Sequence, residues 1–141
     1  MATVSDYEPK ISVEEIRRSK EVDRGRWLFC WCVQNLTELP IKFLAARCPH
    51  GRFKSEERFF DPPLQAADGQ AATIEMSVLC NEPSGAVIEN AFLILMTEWD
   101  ESKWRIFVRL RVLVDQQGIP GTNAELITAQ KVGFSGINEI V

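Results

Sequence analysis

The chain is predicted to be an all-β protein: an antiparallel two-sheet β-sandwich of immunoglobulin-like architecture, with about seven strands and a short N-terminal helix. Three observations predict this fold. Short apolar runs with period-two alternation follow one another, turn signals separate them roughly every ten residues, and no helical pattern lies between them. A small barrel is the competing architecture.

Length and composition indicate a single folded domain. With 141 residues, of which 45% are hydrophobic and 26% charged, the chain can bury a core and has the composition of a globular protein. A net charge of −4 gives no general attraction to nucleic acid or anionic lipid, so we expect neither a nucleic-acid partner nor membrane insertion. The first residues have no apolar signal region, which predicts a cytoplasmic protein.

Residues 1–25 are predicted to form a polar lead, and residues 26–141 the sandwich domain. Within the lead, Ser12 and Glu15 match the capping-box spacing, which predicts a short helix over 13–20. Its apolar stripe is thin, so this helix would need to dock on the body of the domain. A flexible arm is the alternative.

Seven segments of the sandwich domain are predicted to be strands. The prolines after Phe60 are expected to end the third of them as a short edge strand, because proline donates no ladder hydrogen bond. Large aromatic residues on the inward faces are expected to form the core between the sheets. The predicted strands are 26–35, 41–48, 53–60, 72–80, 88–99, 103–114 and 123–132. The predicted core aromatics are Trp27, Phe29, Trp31, Phe92, Trp99 and Trp104.

The two longest segments are predicted to pair as a β-hairpin. From Lys103 to Val114 the even-numbered residues are apolar, so they are expected to be buried while the odd-numbered face meets water. An even-numbered loop brings apolar residues of both strands together, whereas an odd loop sets them against arginines. With Glu101-Ser102 at the tip, the expected pairs are Trp99 with Trp104, Leu95 with Val108, Leu93 with Leu110, Asp100 with Lys103, and Glu98 with Arg105. A four-residue loop of the same parity is equally acceptable.

One strand face combines cations with an aromatic ring, and we take it as the candidate binding site. Cations with a central aromatic suit an acidic protein surface, a phosphate-bearing ligand or single-stranded nucleic acid. The alternative is a solvated face whose charges pair with Glu98 and Asp100, each pair contributing little. The face comprises Lys103, Arg105, Phe107, Arg109 and Arg111.

The four cysteines and the single histidine are the candidates for metal binding and nucleophilic catalysis. Cys30-x-Cys32 with Cys48-x-His50 and Cys80 lacks the ligand spacing of structural zinc sites, so we predict no metal and no cofactor. Cys48 and His50 could form a thiol-base pair only if they come within hydrogen-bond reach. Without that contact, we expect four buried or reduced thiols and no catalytic residue.

The sequence therefore favours a non-catalytic interaction or accessory module. It would bind a protein partner, or a second copy of itself, through the 103–111 face or through an edge strand. The first alternative is a small-molecule or lipid-type binder with an apolar cavity between the sheets. The second is a thiol-dependent enzyme that uses Cys48 and His50.

Overall fold

A computed structural model describes residues 7–133, and these residues form eight antiparallel strands joined by short turns. The all-β prediction is confirmed, with one strand more than expected. The strands are β1 (Ile11–Lys20), β2 (Arg26–Asn35), β3 (Ile41–His50), β4 (Phe53–Ala66), β5 (Ala71–Leu79), β6 (Val87–Trp99), β7 (Ser102–Val114) and β8 (Pro120–Lys131).

All eight strands belong to one nearly closed, barrel-like sheet with the order β1-β2-β5-β4-β3-β6-β7-β8. The prediction of an immunoglobulin-like two-sheet sandwich is therefore wrong. Period-two alternation reports which face of a strand is buried, but it does not report whether the strands form two sheets or one that curls. Here a ladder pair between Lys54 and Leu79 joins β4 to β5, and side chains bring β1 against β8.

The predicted N-terminal helix is also wrong, because the segment is strand β1. Its pairing with β2 runs from Ile11 opposite Asn35 to Lys20 opposite Trp27. Ile11 and Val13 pack against the core from one face, as a strand requires and a helix does not. A weak capping signal is thus overridden by an available strand edge.

Strand β4 continues past the prolines that were expected to end it. Its register with β3 is irregular between Phe59 and Leu64, the two positions that flank Pro62 and Pro63. On its other side, β4 pairs with β5 only at Lys54. A proline at such positions removes no ladder hydrogen bond, so the strand tolerates both.

The concave face of the sheet encloses one apolar core. All four tryptophans and Phe29 are buried there, as predicted. Phe92 does not follow the prediction: it is partly exposed on the outer face, with its ring edge-to-face with Phe107 at a centroid distance of 6.4 Å. Among residues 7–133 there is no helix long and apolar enough to cross a membrane.

The β6–β7 hairpin has the predicted parity but a different register. Trp99 pairs with Ser102 and Thr97 with Trp104, so every predicted pair is displaced by two residues along one strand. The loop consists of Asp100 and Glu101, whose φ angles of 51° and 61° are those of a type I′ turn. A two-residue shift keeps each side chain on its face, so burial could not distinguish the two registers.

Side chains close the barrel between β1 and β8. The backbone N–H and hydroxyl of Thr122 both donate to Glu15 Oε1 at 2.7 Å, and the hydroxyl accepts from the Trp31 indole N–H at 3.0 Å. Glu15 Oε2 accepts from Arg18 Nε at 2.6 Å. At Gly121 a Cβ would lie 3.1 Å from the Arg18 guanidinium, so glycine permits this approach. The poorly accessible carboxylate is therefore bonded at both oxygens.

The seam contacts predict the effect of substituting Thr122. Thr122→Val keeps the shape but leaves the buried Trp31 N–H without an acceptor, so the free energy of unfolding should fall by about 1–3 kcal/mol. Urea denaturation measures this, with Thr122→Ser, which retains the hydroxyl, as the control. Equal loss in both variants would contradict a role for the hydrogen bond.

The turn predicts a stabilising substitution. Glu101→Gly should raise the free energy of unfolding by about 0.5–1 kcal/mol, because glycine relieves the left-handed backbone but loses more entropy on folding. Glu101→Ala removes the same carboxylate and keeps the Cβ, so it should bring no such gain. Thermal melts of both variants measure the change in melting temperature. An equal rise in Glu101→Ala would show that loss of the carboxylate, and not relief of the backbone, is the cause.

Candidate functional site

Strand β7 presents the predicted binding residues on the outside of the barrel. The even-numbered residues from Trp104 to Val114 are buried, which confirms the predicted burial pattern. On the opposite face Lys103 is exposed, while Arg105 and Phe107 are partly buried. Arg109 and Arg111 retain 38% and 40% of their side-chain exposure. The barrel thus places all five predicted residues along one convex strand.

The neighbouring strand β6 gives this surface an apolar centre. Phe92 pairs with Arg109, Ile94 with Phe107, and Met96 with Arg105. These three β6 side chains are apolar although they point away from the core. A strand whose outer side faced only water would normally carry polar residues there.

Apolar side chains continue across the strands on either side. On β3 Ala45 lies opposite Met96, and on β4 Phe59 lies opposite Ala45. On β8 Leu126 lies opposite Arg109. Phe59 is 72% exposed and Leu126 49% exposed, whereas Ala45 and Ile94 are covered by their neighbours on the outer face. We call this surface the basic-aromatic face; it comprises Lys103, Arg105, Phe107, Arg109, Arg111, Phe92, Ile94, Met96, Ala45, Phe59 and Leu126.

The charges on the basic-aromatic face are only partly neutralised. Arg111 Nε lies 3.0 Å from Glu89 Oε2, and Arg109 Nε lies 4.0 Å from Glu125 Oε1. Within residues 7–133, Arg109 Nε has no hydrogen-bond partner, and Arg105 and Lys103 take part in no ion pair.

The acidic residues expected to balance this face make their closest polar contacts with other partners. Glu98 pairs with Lys42 at 3.8 Å, and Asp100 accepts a hydrogen bond from the Tyr7 hydroxyl. The register shift of the hairpin explains this: Glu98 stands opposite Lys103 rather than Arg105. In the described part of the chain, Glu98 and Asp100 thus form no ion pair with Lys103 or Arg105, although Glu98 is the cross-strand neighbour of Lys103.

Cys48 and His50 have different surroundings. Cys48 is fully buried in the core, and burial raises the pKa of its thiol to about 12. His50 Nδ1 instead accepts a hydrogen bond from the backbone N–H of Arg52 at 3.0 Å. A nucleophilic thiol needs access and a lowered pKa, so these surroundings do not favour a thiol-dependent enzyme.

The other cysteines are divided between the two faces of the sheet. Cys30 lies on the outer face beneath Arg17, whose Nη2 is 3.6 Å from the sulfur, while Cys80 belongs to the inner core. Burial raises the pKa of both thiols, that of Cys80 to about 11. Residues 7–133 bring no three potential metal-binding side chains together.

A cleft of about 410 Å³ opens beside the tip of the β6–β7 hairpin. Leu39 and Trp99 supply apolar walls, and Lys42, Glu98 and Asp100 supply charges. The cleft borders the edge of the core, because Ile41 and Trp99 belong both to its lining and to the core cluster. A small-molecule ligand in an apolar cavity stays a hypothesis, and the two sheets between which it was expected are replaced by one curled sheet.

Sequence reasoning missed the apolar half of the basic-aromatic face. Ile94 and Met96 fall in the predicted strand 88–99 and Phe59 in the predicted edge strand 53–60, and no sequence pattern placed them beside the basic residues. One signal could have revealed the β6 residues: an apolar strand paired with an alternating one must place half its apolar side chains beside the partner's outer face.

Thiol reactivity should follow this distribution of cysteines. Near neutral pH, iodoacetamide should modify the partly exposed Cys32 first and leave Cys48 intact, because Cys48 is buried and protonated. Timed peptide mass spectrometry measures the order, and unfolded chain, in which all four thiols react, is the control. Rapid labelling of Cys48 in the native state would revive the thiol-enzyme hypothesis.

No family model matches this chain, and no curated protein matches it either.

Proposed function

We propose that this protein is a non-catalytic interaction module that binds an acidic protein partner through the basic-aromatic face. The observation that carries the proposal is the apolar centre of that face. Around Ile94, which is itself buried, Phe107 is partly exposed and Phe59 is 72% exposed on the side of the sheet turned away from the core. Apolar side chains in that place have a reason if another surface covers them.

The composition of the face supports a protein partner. Aromatic residues, methionine and arginine are the types enriched at protein interfaces, where lysine and glutamate are depleted. Phe59 and Phe107 provide rigid apolar area, and arginine stems can pack on such rings while their guanidinium groups remain available. A face that contacts only water would gain nothing from the rings of Phe59 and Phe107.

The charge of the face supports an acidic partner. The chain as a whole carries −4, yet this surface concentrates cations, of which Arg105 has no ion pair among the described residues. Carboxylates can engage guanidinium groups in two parallel hydrogen bonds, which adds specificity to the attraction. Opposite charges would also speed association.

Reversing two charges of the face tests the proposal. In Arg105→Glu/Arg109→Glu, we expect the affinity for a partner captured by the wild-type chain to fall at least about tenfold, because carboxylates would then face carboxylates. The melting temperature should stay unchanged, since the only ion pair lost is exposed and 4.0 Å long. Isothermal titration calorimetry with the purified partner measures the affinity.

The matched control is Lys20→Glu/Arg24→Glu, which makes the same change in net charge at two exposed residues elsewhere. It should bind the partner as the wild type does. An equal loss in both variants would indicate general electrostatics, and unchanged binding in both would exclude this face. Concentration-dependent light scattering of the wild type alone tests the self-association alternative, which would replace an acidic partner with a second copy.

A further inference from the structure

Strand β5 is fully paired with β2 along one edge, whereas its other edge lies beside β4 with almost no backbone ladder. It pairs with β2 from Ala71 opposite Gln34 to Leu79 opposite Arg26. Towards β4 its only ladder pair is Leu79 with Lys54. From residue 71 to residue 78, the edge of β5 that faces β4 therefore lacks a backbone ladder.

The direction of the backbone groups on β5 follows from its hydrogen bonds. Gln70 C=O and Cys80 N–H both bond on the β2 side, so even-numbered residues direct their polar groups there. The Glu75 carbonyl instead accepts from Arg58 Nη1, which reaches across from β4, at 2.5 Å. Because direction alternates along a strand, Thr73 and Ser77 present N–H and C=O groups to the free edge.

The outward side chains of β5 leave this edge unguarded. Sheet edges are usually protected by lysine, proline or inward-pointing charge. Strand β4 carries two prolines and Glu56-Glu57, whereas β5 turns the small side chains of Ala71, Thr73 and Ser77 outward. The charges at these outward positions are Glu75 and the Glu21 carboxylate, which accepts a hydrogen bond from the Ser77 hydroxyl. Neither occupies the backbone groups of Thr73.

We infer that the β5 edge is a second binding site, which takes an extended peptide segment of a partner protein as an added β-strand. Only another extended backbone supplies donors and acceptors at the spacing of Thr73 and Ser77. Arg58 now holds one of these acceptors and lies over the Phe60 ring, 5.4 Å from its centroid. On binding, a peptide N–H takes its place at the Glu75 carbonyl. This site does not depend on the basic-aromatic face.

Selection from a phage-displayed library of unstructured peptides, followed by anisotropy titration of the synthetic peptides, tests the inference. Thr73→Pro removes an outward N–H without breaking a β2 hydrogen bond, so it should weaken binding at least about tenfold. Thr73→Val keeps the N–H and should bind like the wild type. Arg105→Glu/Arg109→Glu should also bind normally, which separates this site from the proposed function.

A second measurement serves if Thr73→Pro does not fold. In an added strand, every second N–H of the peptide points to β5. On the wild-type protein, N-methylation of these residues of a selected peptide should abolish binding, whereas N-methylation of the intervening residues should not. Enrichment of no peptide, equal binding to Thr73→Pro, equal tolerance of both methylation patterns, or loss of binding in the Arg105/Arg109 variant would each overturn the inference.

Discussion

The fold depends on a sheet that curves far enough for its first and last strands to meet. An open sheet of eight strands would expose its apolar face, whereas a curled one turns that face into a single core. Bulges or irregularities interrupt most of the ladders, including those near Glu15 in β1 and near Ala91 in β6. Each adds bend and twist, and together they bring β1 within side-chain reach of β8.

The barrel has two seams, one without a backbone ladder and one with a single ladder pair, and both are bridged by a charged side chain. Between β1 and β8, the Glu15 carboxylate accepts from the backbone N–H of Thr122. Between β4 and β5, the Arg58 guanidinium donates to the backbone carbonyl of Glu75. At the first seam a carboxylate thus accepts a hydrogen bond from a backbone N–H that has no ladder partner. At the second, a guanidinium donates to a backbone carbonyl that has none. The difference is that the Thr122 network is buried, whereas the Glu75 carbonyl is reached from an exposed side chain.

The sequence predicted burial better than it predicted connectivity. Alternation identified the inward residues of β2 and β7 because burial follows directly from period two. It could not identify β1 as a strand, since Glu15 is partnered by Thr122, a residue far along the chain. It also could not decide between registers that differ by two residues, or place Phe92 on the outer face. For the candidate site, the cations were predictable from their own strand, while the apolar centre depends on pairing with β6.

The seam between β1 and β8 also bears on how the molecule folds. Glu15 and Thr122 are 107 residues apart, so their bond forms only after a very large loop has closed. The β6–β7–β8 meander needs only local contacts and can form earlier. A slow final step would then leave the inner face of the meander uncovered for a time, during which intermolecular association competes with folding.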